Sequence, residues 1–251
     1  TWYKLVDGVL VAQPEPAVMP GVYVNALAWH TIGTDTFLAM GSGVGDATRF
    51  TWYKLVDGVL VAQPAPAVMP GSTVRFCAWH TIGTDTFLAV GSYTTDNTRF
   101  TWYKLVDGVL VAQPAPAVMP GINVASLVWH TIGTDTFLAM GSATTDATRF
   151  TWYKLVDGVL VAQPEPAVMP GVYVNALAWH TIGTDTFLAM GSATTDATRF
   201  TWYNANPITT EVTLTATNGA AITADYTVDG VHKTDQYVID ASFAIQFGEG
   251  V

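Results

Sequence analysis

The chain has 251 residues, half of them hydrophobic and only 12% charged, with a net charge of −10. Five lysines and five arginines are too few and too scattered to neutralise a phosphate backbone, which excludes nucleic acid as a partner. No apolar run reaches the roughly 18 residues that span a bilayer, so membrane insertion is not expected.

Thr1 to Gln13 holds two short apolar runs around Asp7-Gly8, a dipeptide suited to the positive φ of a two-residue hairpin. The chain opens at Thr1 in mid-unit with no Met and no signal peptide, which reads as a processed or partial product. From there a fifty-residue unit runs four times in succession, and the first and fourth copies differ only at Gly43, Val44 and Gly45, which become Ala193, Thr194 and Thr195. A period of that length means a solenoid, a propeller or an array.

One unit divides into four strands, here A to D. In the second copy A is Val74 to His80, B is Phe87 to Ser92, C is Arg99 to Val106 and D is Val109 to Gln113. Asp107-Gly108 makes the C–D turn, and a Pro-punctuated link such as 114–121 cannot join a sheet interior. Complete A–D units are expected over 22–63, 72–113 and 122–163, with a fourth beginning at Val172 and breaking off after Tyr203.

Beyond Tyr203 the pattern changes. Ile208 to Thr217 alternates like a strand and is expected to supply D of the fourth unit. Ala221 to Val228 and Tyr237 to Phe247 could supply A and B of a last blade, which the leading C–D hairpin would complete. The domain reading is therefore 1–203 as a repeat array and 204–251 as a segment that completes the ring or forms a small separate β module.

Four short antiparallel strands per unit, with Gly/Pro punctuation, match a β-propeller blade. The run ALAWH, a turn, FLAMGS, a loop and RFTWYKLVDG resembles WD-type and related propeller blades over residues 22–203. It lacks the Gly-His before A and the Trp-Asp after C, so the resemblance implies fold alone. The expected fold class is all-β, a propeller of five blades with one shared by the chain ends. The alternatives are four blades plus a C-terminal β module, or a trimeric fibre.

The copies differ mainly at 15, 22–28, 40 and 43–47 and their equivalents. Strands alternate in direction, so the D–A and B–C loops emerge on one face and the variation gathers there. Loops on a rigid scaffold are where recognition concentrates. The candidate ligand-binding residues of that face are Tyr23, Asn25, Arg75, Phe76, Tyr93, Asn123, Tyr173 and Asn175.

Other constellations read as structural. His30 with Asp35, and its repeats, reads as a hydrogen bond stabilising the A–B turn, with neighbouring blades holding the histidines far apart. Arg49 with Asp46 reads as a local ion pair tying down the B–C loop. Trp2, Tyr3 and Trp29 recur in every copy as packing residues. Cys77, the single cysteine, fills a slot that holds Leu elsewhere. Gly41 to Gly45 lacks the Lys and helix of a phosphate loop, and no third partner completes a Ser/His triad. No metal site and no cofactor are expected.

The functional expectation is a non-catalytic protein, not an enzyme. It would be an extracellular or virion-surface module displaying multivalent sites, glycan-binding by expectation, on one loop face. Its partners would be surface glycans or a protein, with a homo-oligomer or larger assembly possible. The alternatives are a purely structural decoration protein and a soluble propeller lectin.

Overall fold

The computed structural model describes residues 1–205 throughout and, beyond them, three strands between 213 and 238. β1 (Tyr3–Val6) and β2 (Val9–Ala12) pair as a hairpin around Asp7 and Gly8, whose φ values are 48° and 81°. Three complete four-stranded antiparallel sheets follow in sequence order. The first is β3 (Val24–Ile32), β4 (Asp35–Ser42), β5 (Phe50–Val56) and β6 (Val59–Ala62). The second is β7 (Val74–Ile82), β8 (Asp85–Ser92), β9 (Phe100–Val106) and β10 (Val109–Ala112). The third is β11 (Val124–Ile132), β12 (Asp135–Ser142), β13 (Phe150–Val156) and β14 (Val159–Ala162).

A fourth sheet holds three strands, β15 (Val174–Ile182), β16 (Asp185–Ser192) and β17 (Phe200–Asn204). β17 stops where the Lys-Leu-Val-Asp-Gly of earlier copies gives way to Asn-Ala-Asn-Pro. The Asp-Gly turn is gone there, and Pro207 has no N–H for a ladder. The first strands of successive sheets pack on one another, β3 on β7, β7 on β11 and β11 on β15, so they form the inner wall around a common axis. This is a β-propeller of self-contained blades, and no strand of a complete blade has to come from another chain.

No blade has a core of its own, because one sheet cannot cover its own faces. Burial happens between blades. Phe37, Phe50 and Trp52 of the first close on Val74, Trp79, Leu88 and Tyr103 of the second. The second and third repeat the arrangement with Phe87, Phe100 and Trp102 against Val124, Trp129, Leu138 and Tyr153. Trp52 is 1% exposed, whereas Trp202, at the equivalent position of the last blade, is 61% exposed. At the other end Trp29 is 48% exposed and Trp79 is 8%. Neighbours, not sequence, make the difference. Cys77 packs partly buried against the first of these clusters, and burial pushes its thiol up, away from the reactive thiolate.

Buried aromatics also hold the links. Trp52 Nε1 donates to the Pro64 carbonyl at 2.8 Å, and the Tyr53 hydroxyl donates to the Val18 carbonyl at 2.8 Å. The expected Arg49–Asp46 ion pair is corrected here. The Asp46 carboxylate accepts from the Thr48 N–H at 2.8 Å and the Thr48 hydroxyl at 2.6 Å. Arg49 donates instead to the Asp46 carbonyl at 2.8 Å and, through Nε, to the Pro70 carbonyl at 2.7 Å. Thr48 lies two residues from the carboxylate and takes it first, so Arg49 is left to clamp the link that enters the next blade.

Residues 206–251 form a second unit. Its described strands, β18 (Thr213–Thr217), β19 (Ala221–Val228) and β20 (Val231–Val238), pair as an antiparallel meander. β18 pairs with β19; of the segment 208–217 expected to supply D of the fourth blade, 208–212 lie outside the described residues. The last expected strand starts earlier, at Val231 rather than Tyr237, and 239–247 also lie outside the described residues.

Close approach between blades depends on glycine. A Cβ on Gly91 would lie 2.6 Å from Val124 Cγ1, while one on Gly191, where no further blade is described, would meet only Ala176 at 3.4 Å. Gly91→Ala is therefore expected to destabilise the protein by about 1–3 kcal/mol, and Gly191→Ala to be near neutral. Equal shifts in urea midpoint for the two variants would contradict inter-blade packing as the source of stability.

Candidate functional site

Two backbone irregularities repeat at the start of each inner strand. Tyr23, Thr73, Asn123 and Tyr173 have φ of 57°, 56°, 57° and 55°, in the left-handed region. For Thr and Tyr that conformation is strained, and it persists only where the surroundings enforce it. In Thr73, Asn123 and Tyr173 both backbone groups are held, and in Tyr23 the carbonyl is, accepting from the Gly43 N–H at 2.9 Å. The Asn123 N–H donates to the Thr94 carbonyl of the preceding blade at 3.0 Å, and its carbonyl accepts from the Ala143 N–H at 2.9 Å. Two residues further on, the ladder shifts register at a β-bulge between Val24 and Ala26, and likewise in β7, β11 and β15. The bulged residue is Asn25, Arg75, Ala125 or Asn175, and a bulge re-aims its side chain.

The bulges and the loops after β8, β12 and β16 surround one cavity of about 640 Å³ at the end of the inner strands. Arg75, Phe76, Tyr93, Tyr173 and Asn175 line it, with Ala143 and Ala193 leaving it open. The Arg75 guanidinium lies over the Tyr93 ring, 5.2 Å from its centroid, a cation–π contact that orients the charge. Among the described residues no Asp or Glu lines it.

Five of the eight candidate residues meet in this cavity. The other three do not. Tyr23 stands 79% exposed on the first blade. Asn25 turns its amide to the Val74 carbonyl at 3.5 Å, and Asn123 is half-buried with its backbone committed as above. The lining residues not among those candidates are Val124 and Ala125 of β11 together with Ala143 and Ala193. Ala143 and Ala193 fall in the variable B–C window, and their small size was the available signal.

The opposite ends of the inner strands carry the histidines, and here the expectation is corrected twice. His30 Nε2 meets Thr81 Oγ1 of the next blade at 2.7 Å, and His80 meets Thr131 at 2.9 Å. Each ring also stacks on the next blade's Trp, His30 on Trp79 at 5.8 Å and His80 on Trp129 at 5.7 Å. Asp35, Asp85 and Asp135 instead pair with Lys54, Lys104 and Lys154 at 2.7, 2.7 and 2.8 Å. Lys54 stands opposite Phe37 on β5, one diagonal step from Asp35, so the carboxylate finds it within its own sheet. Nor are the histidines far apart, since His30 and His130 both bear electrostatically on His80. Among the described residues no group of three His, Cys, Asp or Glu could hold a metal ion.

No protein-family model and no curated protein matches the chain. Solved structures do. The chain is similar to an exo-β-1,3-galactanase from Phanerochaete chrysosporium crystallised with β-1,3-galactotriose, at TM-score 0.50 and 11% identity over 92% of this chain and 64% of that one. It is also similar to a GH32 β-fructofuranosidase from Bombyx mori, at TM-score 0.46 and 12% identity over 87% of this chain and 52% of that one. A thermostable family-43 glycoside hydrolase gives TM-score 0.45 and 7% identity over 94% and 99% of the two chains.

At these identities the likeness establishes the propeller fold and nothing finer. The chain spans 64% of the galactanase's length. Two expectations are corrected even so. The WD-type resemblance is not what the neighbours show. The non-catalytic, non-enzyme expectation is corrected to this extent: the fold it was read from also carries an exo-β-1,3-galactanase, so the fold does not exclude catalysis.

The histidine contacts have a pH signature. Burial holds the His30, His80 and His130 imidazoles below their ordinary value, and at His80 the other two histidines add to it. The folded state therefore favours neutral rings, and the unfolded chain binds more protons as pH falls through about 6.5. Stability present above that pH is lost below it. The melting temperature is expected to fall between pH 7.5 and 5.5, by less in His80→Gln than in the unaltered protein. The carboxylates of Asp46, Asp96, Asp146 and Asp196 are held low by Thr48, Thr98, Thr148 and Thr198 and act only at more acid pH. An unchanged pH dependence in His80→Gln would remove the histidines from the account.

Proposed function

We propose that this protein acts on glycans and holds a saccharide in the cavity at the end of the inner strands. The observation that carries the reading is the cavity itself: about 640 Å³, walled by Phe76, Tyr93 and Tyr173, with the Asn175 amide and the Arg75 guanidinium facing the same space. Volumes of about 300–1,000 Å³ with an apolar wall and a few convergent polar groups are typical of small-molecule sites. Aromatic faces cover the C–H surfaces of a sugar ring, and amide and guanidinium groups satisfy its hydroxyls.

The glycoside hydrolases that share the fold support the same direction as an analogy of fold. Glycosidic bonds are therefore the bonds to assay for cleavage. The proposed contacts are Arg75, Phe76, Tyr93, Tyr173 and Asn175, and an extracellular or particle-surface location belongs to the same proposal.

Glycan-array screening of the whole chain is expected to return a defined saccharide set, with reducing-end release measured on each positive glycan. Tyr93→Ala and Tyr173→Ala are each expected to weaken binding at least about tenfold, the scale of losing an aromatic anchor. Absence of binding to any glycan, or binding indifferent to both substitutions, would overturn the proposal.

A further inference from the structure

The saccharide reading leaves one residue with more to do than hydrogen-bond a hydroxyl. The bulge position holds Asn25, Ala125 and Asn175 in the first, third and fourth copies and Arg75 in the second. Every other arginine belongs to the repeat and is fastened to the backbone of its own loop: Arg49, Arg99, Arg149 and Arg199 all donate to the carbonyl of the Asp three residues before. The repeated lysines Lys54, Lys104 and Lys154 are paired with carboxylates.

Arg75 makes no hydrogen bond and no ion pair among the described residues. Its one contact of this kind is the face of Tyr93, which orients the guanidinium plane and leaves its N–H edges open. The side chain is exposed to the cavity, and among the described residues no carboxylate lines that space. In a chain of net charge −10, an unopposed guanidinium at the mouth of an aromatic cavity is a marked local departure.

We infer that the saccharide is acidic, and that its carboxylate is bound by Arg75. A guanidinium is planar and presents paired N–H donors at the spacing of a carboxylate's two oxygens, which a lysine ammonium cannot reproduce. Stacking on Tyr93 fixes the fork before the ligand arrives, so little is lost in ordering it. Phe76 and Tyr173 then cover the sugar ring, and Asn175, two blades on from Arg75, reads a hydroxyl. A uronic acid carries this combination of apolar ring face, hydroxyls and one carboxylate. The inference rests on the saccharide reading and gives it a substrate class.

The test is calorimetric titration of the full chain with oligosaccharides containing galacturonate, mannuronate or glucuronate. Each is matched with its methyl ester and its neutral parent sugar, and a sulfated galactan oligosaccharide is the second anionic arm. At least one uronate is expected to bind about tenfold or more tightly than its methyl ester at low salt, with the gap narrowing as salt rises. Arg75→Ala should abolish the gap between uronate and ester, with the melting temperature unaltered. Arg75→Lys should recover part of the difference and no more. Equal binding of uronate, ester and neutral sugar overturns this inference and leaves the saccharide reading standing. Binding of the sulfated sugar alone overturns the carboxylate assignment. Failure of every saccharide overturns both.

Discussion

The packing of one blade on the next is the constraint from which the rest of this structure follows. A four-stranded sheet of this sequence has two apolar faces and no means of covering either. Phe37 and Trp52 are buried only because Val74 and Trp79 come to meet them, and Trp202 is exposed where no such partner is described. The approach is tight enough that the B strand carries glycine opposite the next blade's first valine. Arg49 then ties the entering link to the blade behind it. Stability in such an array is a sum over neighbours rather than a property of any one unit.

The same constraint builds the cavity. In the second, third and fourth copies the residue before the inner strand gives its N–H to the preceding blade's loop, and in all four copies its carbonyl accepts from its own. All four residues hold their backbone in the left-handed region. A bulge follows at once, and the bulged side chain leaves the packed surface. Recognition and packing thus share one short segment: position 74 seals the blades together, and position 75 is free to vary. That separation explains how near-identical units can carry Asn, Arg, Ala and Asn at one slot while the fold stays the same.

Much of the fold was legible because the repeat states it four times. Strand number, the Asp-Gly turns and the face on which variation gathers all follow from sequence. What sequence could not supply was which groups meet across blades. His30 and Asp35 stand five residues apart and look like a turn pair, yet the nearest hydroxyl to His30 is Thr81, fifty-one residues on. Asp46 and Arg49 look like an ion pair, yet Thr48 occupies the carboxylate. The bulge was invisible too, because Asn, Arg and Ala carry no bulge signature. For that reason Arg75 and Asn175 could be named as candidates, while Asn25, with the same residue type and slot as Asn175, turns to a neighbouring carbonyl. Judging the chain non-catalytic rested on the lack of a legible motif, and a fold by itself decides neither for nor against catalysis.

The measurement that bears most directly on the central claim is a crystal structure of the full chain soaked with an oligosaccharide positive on the array. The account predicts sugar density against Tyr93 and Tyr173, within hydrogen-bond reach of Arg75 and Asn175. Density instead at the opposite ends of the inner strands, in the cleft lined by Asp85, Thr134 and Asp157, would contradict it.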